Sequence, residues 1–137
     1  MASDIHNNLT VRRCIDPQSV STNITLTGQI IDRKGYDALE FLITSGAIAS
    51  GTAVFTTAIV HGDQANLSDA VAVPSDQLLG SAAAASFTFA SPNSQFRLGY
   101  AGGKRYVQIS ITTTNNALAA LLAASAVLGN PAIAPTP

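Results

Sequence analysis

Charge is what this chain has least of. Seven of its 137 residues are Lys or Arg and eight are Asp or Glu, 11% in all, with a net charge of −1. An ordinary domain carries about 25%. Without an excess of cations there is little to neutralise a phosphate backbone, which weighs against nucleic acid as a partner. Six of the seven cations come as pairs, Arg12-Arg13, Arg33-Lys34 and Lys104-Arg105, and read as solvated strand ends. A single cysteine, Cys14, excludes an intrachain disulfide. The two histidines, His6 and His61, together with one cysteine are too few, and too irregularly spaced, for a metal site of three or four convergent ligands. Tryptophan is absent, so the aromatic platforms of a sugar-binding surface would have to come from Tyr36, Tyr100 and Tyr106. No apolar run reaches the roughly 18 residues of a membrane-crossing helix, so no membrane is expected as a partner. The opening "MASDIHNNLT" lacks the basic-then-apolar layout of a secretory signal.

What the chain has instead is alternation. Hydrophobic residues make up 47%, enough for one core in one domain of this length. "NITLTGQIID" sets Ile24, Leu26, Gly28 and Ile30 against Asn23, Thr25, Thr27 and Gln29, a half-buried strand. In "ALEFLIT" the alternation of Leu39, Phe41 and Ile43 is broken by Leu42, so this strand is expected to be covered on both faces. "AVFTTAIVHGD" places Phe55, Thr57 and Ile59 on one side and ends at Gly62. Residues 63–85 read as a long connection with a helical turn near Ser75–Leu79, capped by Ser75. "SFTFA", a Pro92-Asn93 turn and "SQFRLGY" follow. Val107, Ile109 and Ile111 then oppose Gln108, Ser110 and Thr112 and are expected to face the core with Leu39, Phe41 and Ile43. The segment "NNALAALLAASAVLGNP" is ambiguous: Ala and Leu favour helix, yet Leu118, Ala120, Leu122, Ala124, Ala126 and Leu128 would also make an apolar strand face. Seven or eight strands with no convincing βαβ rhythm predict an all-β antiparallel sandwich or jelly roll. Its ends, residues 1–11 as an arm and 132–137 as a Pro-rich tail, are expected to be extended.

Four groupings invite a chemical reading. Gly102-Gly103-Lys104 has the look of a phosphate loop, but a P-loop needs a longer glycine-rich span, a Ser or Thr after the lysine and a following helix. Arg105 and a strand follow here, so the glycines are read as a hairpin turn with at least one positive φ. His61-Gly62-Asp63 suggests a His–carboxylate pair, but an exposed histidine at a strand end needs no function. Cys14 lies near Arg12 and Arg13, which would lower its pKa, or is simply a small apolar strand residue. Asp37 and Glu40, three apart, fall on opposite faces of a strand and make a poor acid–base pair. No catalytic constellation, cofactor site or metal site is expected.

Five stretches occur together, in order, over most of the chain: "DIHNNLTV", "IDRKGYDALEFLITSG", "LSDAVAVPSDQLLG", "LGYAGGKRYVQISI" and "AVLGNP". In this the sequence resembles the small cement, or decoration, proteins on the outside of tailed-bacteriophage capsids. The resemblance implies a jelly-roll-like β-sandwich, with the Ala-rich segment as its last strand. It implies a structural virion protein without enzymatic activity, assembled in the host cytoplasm and seated on the outer surface of the head. Its partners would be the major capsid protein and other copies of itself, as a dimer or trimer. The contact candidates are then in the two ends: Asp4, Ile5, His6, Asn7 and Asn8 in the arm, Ile133 and Pro135 in the tail. A carbohydrate- or receptor-binding β-module of a virion fibre or spike is the alternative, and a small hydrolase using His61 and Asp63 a third reading.

Overall fold

The computed structural model describes residues 4–133. A single 3-10 turn, His6–Asn8, precedes eleven strands: β1 (Leu9–Val20), β2 (Thr25–Thr27), β3 (Ile31–Asp32), β4 (Tyr36–Ile48), β5 (Val54–Gly62), β6 (Val71–Ala72), β7 (Leu78–Leu79), β8 (Phe87–Thr88), β9 (Gln95–Tyr100), β10 (Tyr106–Thr114) and β11 (Ala120–Pro131). They form two antiparallel sheets. One runs β1-β11-β4-β9-β7; the other runs β2-β10-β5-β6, with β3 also on β10 and β8 also on β5. If β2 with β3, and β6 with β8, each count as one strand, and the short β7 is set aside, the orders become 1-8-3-6 and 2-7-4-5. Two Greek keys wrapped into facing sheets have this order, and the fold is a jelly roll.

The core lies where alternation places it. Leu39, Phe41 and Ile43 of β4 face Val107, Ile109 and Ile111 of β10, and all six are buried. Three phenyl rings join the sheets: Phe55 stacks on Phe87 with centroids 4.7 Å apart, and Phe87 on Phe96 at 4.9 Å. The Ala-rich segment is strand β11. Its Ala120, Leu122, Ala124, Ala126 and Leu128 are buried, and it is laddered to β1 on one side and β4 on the other. Two full ladders outweigh an intrinsic helix preference of a few tenths of a kcal/mol per residue. Leu118 stands outside this face and is exposed.

Four expectations are corrected. The N-terminal arm is not free of the core through residue 11, since Leu9, Thr10 and Val11 already pair with Gly129, Leu128 and Val127. The Thr10 hydroxyl is 2.9 Å from Tyr36 Oη. The early strand pattern at 23–30 yields only the three residues of β2. The chain's long first strand is β1, whose alternation is hidden by register shifts on either side of Ile15. Bulges of this kind, with Pro17 on an edge strand, guard the edge against pairing with other chains. Ser75 opens the 3-10 turn Ser75–Gln77 rather than capping it; Pro74 is the cap position and no side chain caps the turn. Finally, Gly102-Gly103 is a crossover between sheets, from β9 to β10, and not a hairpin. The glycines of positive φ are Gly35 and Gly80. Gly102 is a glycine for another reason: a Cβ there would lie 2.5 Å from Tyr100 Oη and from Gln77 Oε1, whereas position 103 is open.

Candidate interaction surface

Directly opposed residues on neighbouring strands share a face, so the ladders map the outer surface of the five-stranded sheet. Val127 of β11 stands between Val11 and Glu40; Glu40 is next to Gly99, and Gly99 next to Leu79. Toward the end of the sheet, Gly129 stands between Leu9 and Ala38. Small residues at 129, 38 and 101 leave a groove of about 610 Å³. Leu79 and Val127 wall it, and Ile5 closes it from the N-terminal turn. Gly99 keeps this wall in place, because a Cβ there would lie 2.7 Å from Leu79 Cβ and 2.8 Å from Glu40 Oε2. Ile5 is 70% exposed and Leu79 59%. Exposed aliphatic side chains gathered around one depression mark an interaction site more than they do singly.

Carboxylates of Asp4, Asp37 and Glu40 line the same groove. Asp4 is held in place by the turn that it organises. Its carboxylate accepts from Asn7 N–H at 3.1 Å and Asn7 Nδ2 at 2.5 Å, while Asn8 Nδ2 donates to its carbonyl at 2.6 Å. The Asn7 hydrogen bonds keep the Asp4 carboxyl below its ordinary pKa, so it is ionised at neutral pH. Asp37 faces away from Glu40 in the strand alternation, yet it stands at the end of the sheet and lines this groove and a second hollow beside it.

That second hollow is lined by Arg33, Lys34 and Arg105. Arg105 grips Asp32 with two hydrogen bonds, at 2.7 and 2.8 Å, and these hold the Asp32 carboxyl below its usual pKa. Lys104 Nζ pairs with Asp63 at 2.9 Å. Arg33 lies over the Tyr100 ring, 5.0 Å from its centroid, and donates to the carbonyls of Lys104 and Gly102 at 2.8 and 3.1 Å. Lys104 is thus committed to a carboxylate and its flanking backbone to Arg33, not to a phosphate.

The contact candidates named from the sequence fall together in part. Asp4, Ile5 and Asn8 line the groove. His6 and Asn7 are exposed on the same turn. Ile133 is exposed too, one residue beyond Ala132, whose N–H donates to the Gly35 carbonyl at the same end of the sandwich. Pro135 lies outside the described residues. Sequence reasoning missed Leu79, Val127, Gly129 and Ala38, because strand pairing brings them together from three separate strands.

The other chemical groupings dissolve. His61 is buried rather than exposed, with Nδ1 2.7 Å from Tyr100 Oη. The Lys104 N–H donates to that same Oη at 3.0 Å, which leaves the hydroxyl proton for a neutral His61. Burial, then the nearby Lys104 charge, push the His61 pKa down. Asp63 turns to Lys104 instead. Burial drives the Cys14 thiol up to about 12, so the neighbouring arginines do not activate it and it serves as an apolar core residue. Among the described residues no three His, Cys, Asp or Glu side chains cluster to hold a metal. None of the described helices is long and apolar enough to cross a membrane.

The depressed His61 pKa sets a sign. The unfolded chain takes up the proton near the ordinary pKa of about 6.5 and the folded chain only lower, so stability is full above that value and is lost as pH falls through the folded pKa. Denaturant midpoints from pH 7.5 to 5 are expected to decline, by no more than about 1.4 kcal/mol per pH unit for one proton. The decline is expected to flatten in His61→Gln. An unchanged slope in that variant would remove His61 as its cause.

No known family model matches the chain, and no curated protein matches it in sequence. Solved structures do. A chain of the Cyanophage Pam1 capsid asymmetric unit is 13% identical, with 96% of this chain and 91% of that one covered and a TM-score of 0.52. The fold is shared. A structure of the Gx strain of infectious bursal disease virus gives 12% identity and a TM-score of 0.49 over 93% of this chain, but only 35% of that one. The CBM36-1 domain of a multidomain xylanase from the hindgut metagenome of Trinervitermes trinervoides is matched over its whole length and 92% of this chain, at 9% identity and a TM-score of 0.49. The structural neighbours thus include both viral capsid chains and carbohydrate-binding jelly rolls.

Proposed function

We propose that this protein is a structural virion component that binds the outside of an assembled phage head, as a homo-oligomer on the major capsid protein, and strengthens the shell without catalysis. One observation carries the reading: a chain from a phage capsid is matched nearly end to end by this one. The ordered sequence resemblance to cement proteins supports it. So does the surface, which is poor in charge and sets two exposed aliphatic groups, Ile5 and Leu79, on one groove. Such a protein acts by mass action: it binds the assembled shell and not dissociated subunits, and so stabilises the shell by its binding free energy. Copies on a repeating lattice add their contributions.

The carbohydrate-binding alternative asks for exposed aromatic platforms. Tyr100 is buried, Tyr36 and Tyr106 are half-buried, and of the aromatic side chains Phe89 alone is exposed, which gives that reading less to work with. Purified protein mixed with heads of the parent phage assembled without it is expected to co-sediment and to saturate at a fixed number per head. Failure to bind heads, with retention on a glycan array, would replace the structural reading by the carbohydrate one.

A further inference from the structure

We infer that the groove on the outer face of the five-stranded sheet is the surface that docks on the shell, and that its occupant is a capsid-protein segment presenting an aliphatic side chain beside a lysine or arginine. The inference rests on the structural reading above and adds to it a site and the chemistry of the partner.

Charge complementarity identifies the occupant. Asp16, Asp32 and Asp63 each have an arginine or lysine nitrogen within 2.9 Å. Among the described residues, Asp4, Asp37, Glu40, Asp69 and Asp76 have no such cation, and the first three of these line the groove. Arg33 is held by the Gly102 and Lys104 carbonyls, Lys104 by Asp63 and Arg105 by Asp32; Lys34 shares the second hollow with Asp37, and Arg97 a smaller one with Glu40, but neither reaches a groove carboxylate at ion-pair distance. No Arg or Lys of the described residues pairs with these carboxylates, which leaves them open to a cation on the partner. Between the carboxylates, Ile5, Leu79 and Val127 offer aliphatic walls over a floor of Gly129 and Ala38, a shape for a branched apolar side chain.

The site also tells how the partner is held. β11 and β4 have strands on both sides, so the floor offers no open ladder to an added strand. Recognition falls to side chains, unlike the pairing of an extended arm along a sheet edge. A hydroxyl-rich ligand would meet aliphatic walls and no aromatic platform there. A second copy of this chain is the competing occupant, and the test separates the two.

The test uses variants of the full chain added to heads assembled without it. Gly129→Val fills the floor, and a Cβ at that position meets only Ala38 Cβ, at an ordinary 3.7 Å. Asp37→Lys with Glu40→Lys reverses the rim charge without touching the core. Thr56→Lys, exposed on the other sheet, is the control. Denaturant midpoints confirm folding, and the charge pair carries the test should Gly129→Val fold poorly. Wild type and Thr56→Lys are expected to bind alike, while both groove variants lose roughly tenfold or more in affinity. Wild-type binding is expected to weaken with added salt. Wild type that binds while both groove variants bind equally well would overturn the groove and leave the structural reading standing. Groove variants that lose self-association in free solution, yet bind heads as wild type does, would make a second copy the occupant. Wild type that fails to bind at all would defeat the structural reading itself.

Discussion

Ile109→Ala is expected to lower the free energy of unfolding by about 2–5 kcal/mol, and Ser110→Ala by far less. The two residues are adjacent on β10 and point to opposite faces. Ile109 has no exposure, pairs across the ladder with Ile59 on β5 and reaches Gly28, where an added Cβ would lie 3.2 Å from Ile109 Cγ2. Truncation would remove three carbons from a site enclosed on every side, so relaxation cannot close the cavity cheaply. Domain stability totals roughly 5–15 kcal/mol, which makes this a large share. Ser110 is half-buried on the outer face. The expected result is a much lower denaturant midpoint for Ile109→Ala at an unchanged slope. Equal losses in the two variants would mean that β10 presents the other face to the core.

This contrast is legible in the sequence because β4, β5, β9 and β10 largely keep a period of two, with branched or aromatic residues at most inward positions. β1 was not legible. Its register shifts around Ile15 set Cys14 and Ile15, neighbours in sequence, both into the core, which no alternating template detects. β11 was half legible: its alternation was visible, but its composition favoured helix, and only the ladders on both sides decide the matter. The Gly102-Gly103 stretch reads as a hairpin and is a crossover. A turn within one sheet and a crossover between two look alike locally, and the difference lies in what Tyr100 packs against. As for the interaction surface, the sequence indicated the N-terminal turn through Asp4, Ile5 and Asn8. It was silent on Leu79, Val127, Gly129 and Ala38, since a groove on a sheet face is made by register between distant segments.

The division of labour between core and surface bears on how the ends can be probed. Removal of residues 1–11 would cut three paired residues from β1 and lose the Thr10–Tyr36 contact, confounding binding with folding. Substitutions in the groove, and not truncation of the whole arm, are therefore the informative changes.

Heads that lack the protein are expected to assemble but to release their genome at a lower temperature than heads that carry it. A net contribution of only about 1–2 kcal/mol of shell stability per copy suffices, because rupture must overcome many copies acting together on one lattice. The measurement is to heat purified heads with and without the protein, with occupancy verified beforehand, and to follow DNA release against temperature. The account predicts a release curve displaced upward by the protein, and restored when purified protein is added back to heads made without it. Coincident curves at full occupancy would contradict it, whatever else the protein binds.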